Sequence, residues 1–149
     1  MFRFITRLFG KRKKIEVDID AISKRKWPGR SFGWPEGYIR PALEISFSKI
    51  IGKYSFIFEK EDLLKNETIR MTFSYDRGMI YCSLSKVGSK NYPEDLRHII
   101  YEKYRQRSRP NLFDIPGLPE GQWGSEFQQL ERLAYVLESI APEILLGKF

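Results

Sequence analysis

Chemistry in this chain would have to start from very little. Its 149 residues include one histidine, His98, and one cysteine, Cys82. A thiolate activated by an imidazole is a familiar nucleophile. However, no nucleophile signature surrounds Cys82, and the two residues fall on different expected elements. His98 sits in an expected helix, where a lone imidazole is usually packed or solvated. Cys82 occupies an inward strand position, where a thiol serves as a small hydrophobe. No Cys/His set has zinc spacing. Gly52-Lys53 lacks the earlier glycine and the following Ser/Thr of a phosphate loop. Carboxylates cluster at Glu59, Glu61 and Asp62 and alternate at Glu16, Asp18 and Asp20. Both sets read as solvated faces rather than an acid–base pair or a hard-cation cage. The expectation is a protein with no catalytic residues, no metal and no cofactor.

Recognition is better supplied. Residues 23–38 carry two turn signals, Trp27-Pro28-Gly29 and Trp34-Pro35-Glu36-Gly37, since proline fixes φ and glycine relieves it. Lys24, Arg25, Lys26, Arg30 and Arg40 interleave there with Trp27, Phe32, Trp34 and Tyr38. Tryptophan, tyrosine and arginine are favoured anchors of protein interfaces, so Trp27, Arg30, Trp34, Tyr38, Arg77 and Trp123 are candidate partner-binding residues. Cations beside aromatic platforms also suit single-stranded nucleic acid, one for phosphate and the other for base stacking. That alternative uses Lys24, Arg25, Lys26 and Arg40 with Arg105 and Arg107. The bland reading is that the tryptophans cap the core and the arginines complement a helix C-terminus.

Net charge is +7, of which Lys11 to Lys14 supply four. An acidic partner is therefore favoured, whether nucleic acid, anionic membrane or acidic protein. Residues 1–14 read as a basic amphipathic segment. Phe2, Ile5, Leu8 and Phe9 lie near one helical face, and Lys11, Arg12, Lys13 and Lys14 follow Gly10, a pattern suited to a short interfacial anchor. The alternative is a terminal helix docked on the domain, or a frayed tail. A single cysteine excludes an internal disulfide and fits a reducing compartment. No apolar run is long enough to span a bilayer, and Arg3 and Arg7 interrupt any secretory signal. The expected location is cytoplasmic.

The elements that must position these residues are organised around 68–86. Ile69, Met71 and Phe73 alternate with polar residues, as do Ile80, Cys82 and Leu84 beyond a turn signal at Tyr75-Asp76-Arg77-Gly78. This is a β-hairpin pattern. A four-residue loop from Tyr75 to Gly78 would pair Phe73 with Ile80, Met71 with Cys82 and Ile69 with Leu84. A three-residue Asp-Arg-Gly loop with a bulge would split the apolar set, so the first register is preferred. Tyr54, Phe56 and Phe58 mark a strand over 54–60, and Leu63 to Glu67 reads as a connection. Strands near 54–60, 68–75 and 79–86 then form an antiparallel meander. A short edge strand is expected from Ile15, and a helix over 39–52 with Pro41 in its first turn. Further helices are expected near 92–107, opened by Pro93, and near 125–141, opened by a Ser125/Gln128 capping box. The expected fold is α+β, a small antiparallel sheet covered by those two helices. Residues 15–149 would form a single domain.

Tyr54-Ser55-Phe56 after Gly52, followed by Phe73-Ser74-Tyr75-Asp76-Arg77-Gly78-Met79-Ile80, resembles small bacterial proteins of the toxin-immunity or uncharacterised type, in which two strands flank an Asp-Arg-Gly turn. The resemblance covers about a third of the chain. It implies a non-catalytic protein that neutralises a toxin by occluding its active surface, and it implies no catalytic residues.

Overall fold

The computed structural model describes residues 4–7, 15–18, 37–104, 112–119 and 124–149. Two strands, β1 (Phe4–Arg7) and β2 (Ile15–Asp18), pair antiparallel as a separate two-stranded sheet, with Phe4 opposite Asp18 and Arg7 opposite Ile15. The edge strand expected from Ile15 is present. The helix expected over residues 1–9 is not formed at 4–7. Nine residues nucleate a helix poorly, and the β-branched pair Ile5-Thr6 favours extended backbone.

Two short helices, α1 (Ile39–Ser46) and α2 (Ser48–Lys53), occupy the stretch expected to be one. Pro41 lies in the first turn of α1 as expected. The break falls at Phe47, which leaves helical geometry at φ −107° and ψ 16°. Its ring is fully buried and meets Phe73 edge-to-face, with centroids 5.1 Å apart.

The main sheet has five antiparallel strands in sequential order: β3 (Ile57–Lys60), β4 (Leu63–Lys65), β5 (Ile69–Asp76), β6 (Met79–Lys86) and β7 (Glu94–Asp95). The meander is thus longer than the three strands expected. β4 lies between β3 and β5, in what reads from sequence as a connection. Three residues are too few to show a period, but Leu64 is buried opposite Met71. β7 takes Glu94 and Asp95 out of the expected first helical turn and pairs them with Leu84 and Ser83. The helix α3 therefore begins at Leu96 and runs to Tyr104, and the Asp95 carboxylate accepts from Arg97 N–H at 2.7 Å.

The hairpin register also differs from the expected one. Phe73 faces Cys82, Met71 faces Leu84, Tyr75 faces Ile80 and Asp76 faces Met79, closed by the two-residue loop Arg77-Gly78. Both loop residues have positive φ, 53° and 86°, which a type I′ turn requires and which matches the twist of the strands. The displacement is two residues, so side-chain parity survives. Ile69, Met71, Phe73, Ile80, Cys82 and Leu84 all line one buried face.

The last helix, α4 (Glu126–Tyr135), opens with the expected capping box. It continues as a π-helical segment, Val136–Ile140, and then a 3-10 helix, Pro142–Leu146. Phe127, Leu130, Leu133, Val136, Leu137, Ile144 and Leu145 join α1, α2 and α3 in one core against the apolar face of the sheet. The architecture is α+β, with helices on one side of an open antiparallel sheet. Among the described residues, no helix is long and apolar enough to cross a membrane.

Candidate binding surface

A hairpin tip frays unless something holds it, and here side chains from two helices do so. Gln129 of α4 is only 5 % exposed. Its amide donates to Gly78 O at 2.7 Å, and its Oε1 accepts from Ile80 N–H at 2.8 Å. One buried amide therefore satisfies a donor and an acceptor on either side of Met79, using the carbonyl and the NH2 that a carboxamide combines. Tyr75 donates its hydroxyl to Glu126 at 3.1 Å, a tie that raises the tyrosine pKa after burial itself. Arg97 of α3 donates to Ile80 O at 3.2 Å, with its guanidinium 5.0 Å from the Phe113 ring and 5.8 Å from that of Tyr81. Burial lowers the Arg97 pKa, and the neighbouring Asp95 opposes that effect.

What this framework presents is Arg77. Its side chain is 83 % exposed, and the carboxylate paired with it is the exposed Asp76 at 3.9 Å, too long and too wet to restrain it. Its backbone sits at φ 53°, a region that costs ordinary L-residues roughly 1–2 kcal/mol and that asparagine or glycine would occupy more cheaply. A rigid tip, a strained backbone and a freely presented guanidinium suit the capture of a partner's carboxylate.

The other sequence candidates divide. Tyr38 is half-buried and packs against the core, so it serves the first turn of α1 rather than the surface. Arg40 pairs with Glu44 at 3.1 Å and stacks over Phe58 at 4.6 Å. Trp27, Arg30, Trp34, Trp123, Lys24, Arg25, Lys26, Arg105 and Arg107 lie outside the described residues, as do Phe2, Leu8, Phe9 and Lys11, Arg12, Lys13 and Lys14. Cys82 is fully enclosed, and burial pushes its thiol pKa far up, with Asp95 adding to the effect. His98 is exposed on α3. Gln129 and Arg97 are not among the candidates read from the sequence. Gln129 had a signal: its i+4 and i+7 neighbours, Leu133 and Val136, are both core residues, so a polar side chain in that row must have a polar partner. Arg97 had none, because its partners depend on β7 covering only part of the β6 edge.

No protein-family model, curated protein or solved structure matches this chain.

Proposed function

We propose that this chain is a non-catalytic bacterial binding protein of the toxin-immunity type, which uses the clamped tip around Arg77 to cover a partner's acidic surface. The carrying observation is the pairing of strain with exposure at Arg77, supported from below by a buried glutamine. The energy of such a complex comes from a few anchors and from charge complementarity rather than from bond chemistry. The cytoplasm, where thiols stay reduced, is the matching location. Charge reversal tests the reading. Arg77→Glu should leave the melting temperature within a few degrees of the parent, because nothing packs on the side chain. It should lose the cognate protein that the parent retains from the source cell, and weaken the purified complex at least about tenfold. Equal affinity for both forms would exclude the tip as the contact.

A second reading, nucleic-acid binding, is favoured by the distribution of charge. Residues 1–36 hold ten basic and four acidic residues, whereas 37–149 hold sixteen and fifteen. The excess positive charge is therefore concentrated in a quarter of the chain, the quarter where Trp27 and Trp34 alternate with cations. Binding of a generic oligonucleotide should then fall steeply between about 50 and 200 mM salt. Substitution of Lys11 to Lys14 by glutamine should shallow that slope by about 3 for a single strand. Anionic vesicles are the parallel arm, since stronger retention there would assign the same charge to a membrane surface.

A further inference from the structure

The end of the sheet remote from Arg77 holds a different feature. A groove of about 720 Å³ opens between Tyr54, Ser55 and Ile57 on one side and Lys65, Glu67, Thr68 and Val87 on the other. That size lies within the range of small-molecule sites. Its floor is fixed by Asn66, which donates its amide to Tyr54 O at 2.9 Å and accepts from the N–H groups of Thr68 and Ile69 at 2.8 and 2.9 Å.

Two features here work against stability. Ser55 follows α2 at φ 57°, the left-handed position that closes a helix and that glycine ordinarily fills. The neighbouring Phe56 N–H reaches Ile51 O at 3.1 Å, the outer bond of that motif, while the residue type at 55 is unfavourable. On the open face of the sheet, Lys65 stands directly opposite Arg70, a like-charge pair that costs stability. Glu59 neutralises Arg70 at 3.2 Å, while Lys65 makes no ion pair among the described residues. Beside this pair the same face carries Ser85, opposite Arg70, and the Thr72–Ser83 pair. At the groove's edge Ile57 is 66 % exposed.

We infer that this groove and the Lys65–Arg70 pair form a binding site for a nucleotide unit, with the flat base between Tyr54, Ile57 and Val87 and the phosphate on Lys65 and on Arg70, which exchanges its Glu59 partner for the phosphate. The two cations then occupy adjacent strands about 5 Å apart, a separation that allows both to reach one phosphate. The Ser85 hydroxyl beside Arg70 adds a neutral donor. The site is independent of the Arg77 reading, and it lies wholly within the near-neutral part of the chain, so a long-range positive field does not account for it.

The ligand could be a free nucleotide or one unit of a single strand, and both probes are used. Adenosine monophosphate and an eight-nucleotide single strand are titrated into the full-length protein and followed by backbone amide NMR shifts and by fluorescence anisotropy of the labelled strand. At least one should shift the amides of Ser55, Thr68 and Val87 saturably, and adenosine without its phosphate should bind about tenfold more weakly. Lys65→Gln should weaken the same probe about tenfold at an unchanged or higher melting temperature, because a like-charge contact is removed. Shifts with the monophosphate alone assign a free nucleotide, and shifts with the strand alone assign a chain segment. The inference is overturned if neither probe perturbs the groove at millimolar concentration, if the shifts fall only outside it, or if Lys65→Gln binds as the parent does. None of those failures bears on the Arg77 tip.

Discussion

At the scale of single residues, two positions trade stability for something else. Arg77 and Ser55 are the described non-glycine residues with positive φ, and each stands where a different residue would fit the backbone better. Arg77 begins a type I′ turn, where asparagine is favoured, and Ser55 closes a helix, where glycine is. Arg77→Asn and Ser55→Gly should therefore each raise stability by about 0.5–1 kcal/mol in urea melts, after the entropic cost of glycine in the unfolded chain offsets part of the gain at residue 55. An unchanged or lowered midpoint would mean that these residues make native contacts that repay the strain. Gln129 runs the other way. Gln129→Leu keeps the bulk but leaves Gly78 O and Ile80 N–H unpaired under the helix, which should cost about 1–3 kcal/mol. Gln129→Glu should cost at least as much, since an ionised carboxylate still accepts from Ile80 but cannot donate to Gly78 and places a charge at a site only 5 % exposed.

At the scale of elements, legibility followed the length of the periodic run. The eight-residue strands β5 and β6 carry their alternation in the sequence, which identifies their buried face but not their register. The reason is that parity is set by six apolar side chains, while register is set by which two residues take positive φ. Arginine is a poor advertisement for that role. The capping box of α4 was legible because it is a local exchange between Ser125 and Gln128, at 3.2 Å for one bond and 2.8 Å for the other. β4 and β7, three and two residues long, were not legible, since each exists only because a longer neighbour offers it an edge. The break at Phe47 is similar. Leu43, Ile45 and Phe47 alternate as a strand would, yet the structure puts Leu43 and Phe47 in the core and leaves Ile45 39 % exposed, as helical spacing demands, then interrupts the helix where Phe47 meets Phe73. Of the candidate residues, Arg77 has an exposure that is readable from sequence, because a turn tip is solvated almost by definition. Gln129 was harder, because a buried polar residue announces itself only once its row is known to face the core.

At the scale of the whole molecule, the buried side chains from α1 to the terminal 3-10 helix form one continuous cluster, so the thiol at its centre reports on the cooperative unit. Cys82 is flanked by sheet neighbours and roofed by helices, and its pKa is raised chiefly by that burial. In the unfolded chain the same thiol ionises near pH 8.5. Below that value both states hold the proton and stability is independent of it. Above it the unfolded state releases a proton that the folded state keeps, so stability must fall as pH rises, approaching about 1.4 kcal/mol per pH unit for this one group. Tyr75, also raised, adds a fall of the same sign beginning near pH 10. Urea melts at pH 7, 8.5 and 9.5 should show a plateau followed by a decline, and Cys82→Ala should flatten the decline over that interval while lowering the plateau by about 1 kcal/mol for the lost packing. A thiol reagent at pH 8 should label the native protein only at the rate at which the core opens, and label the denatured protein at once. Rapid native labelling, or a decline that persists unchanged in Cys82→Ala, would mean that the helices do not seal this face of the sheet as a single unit.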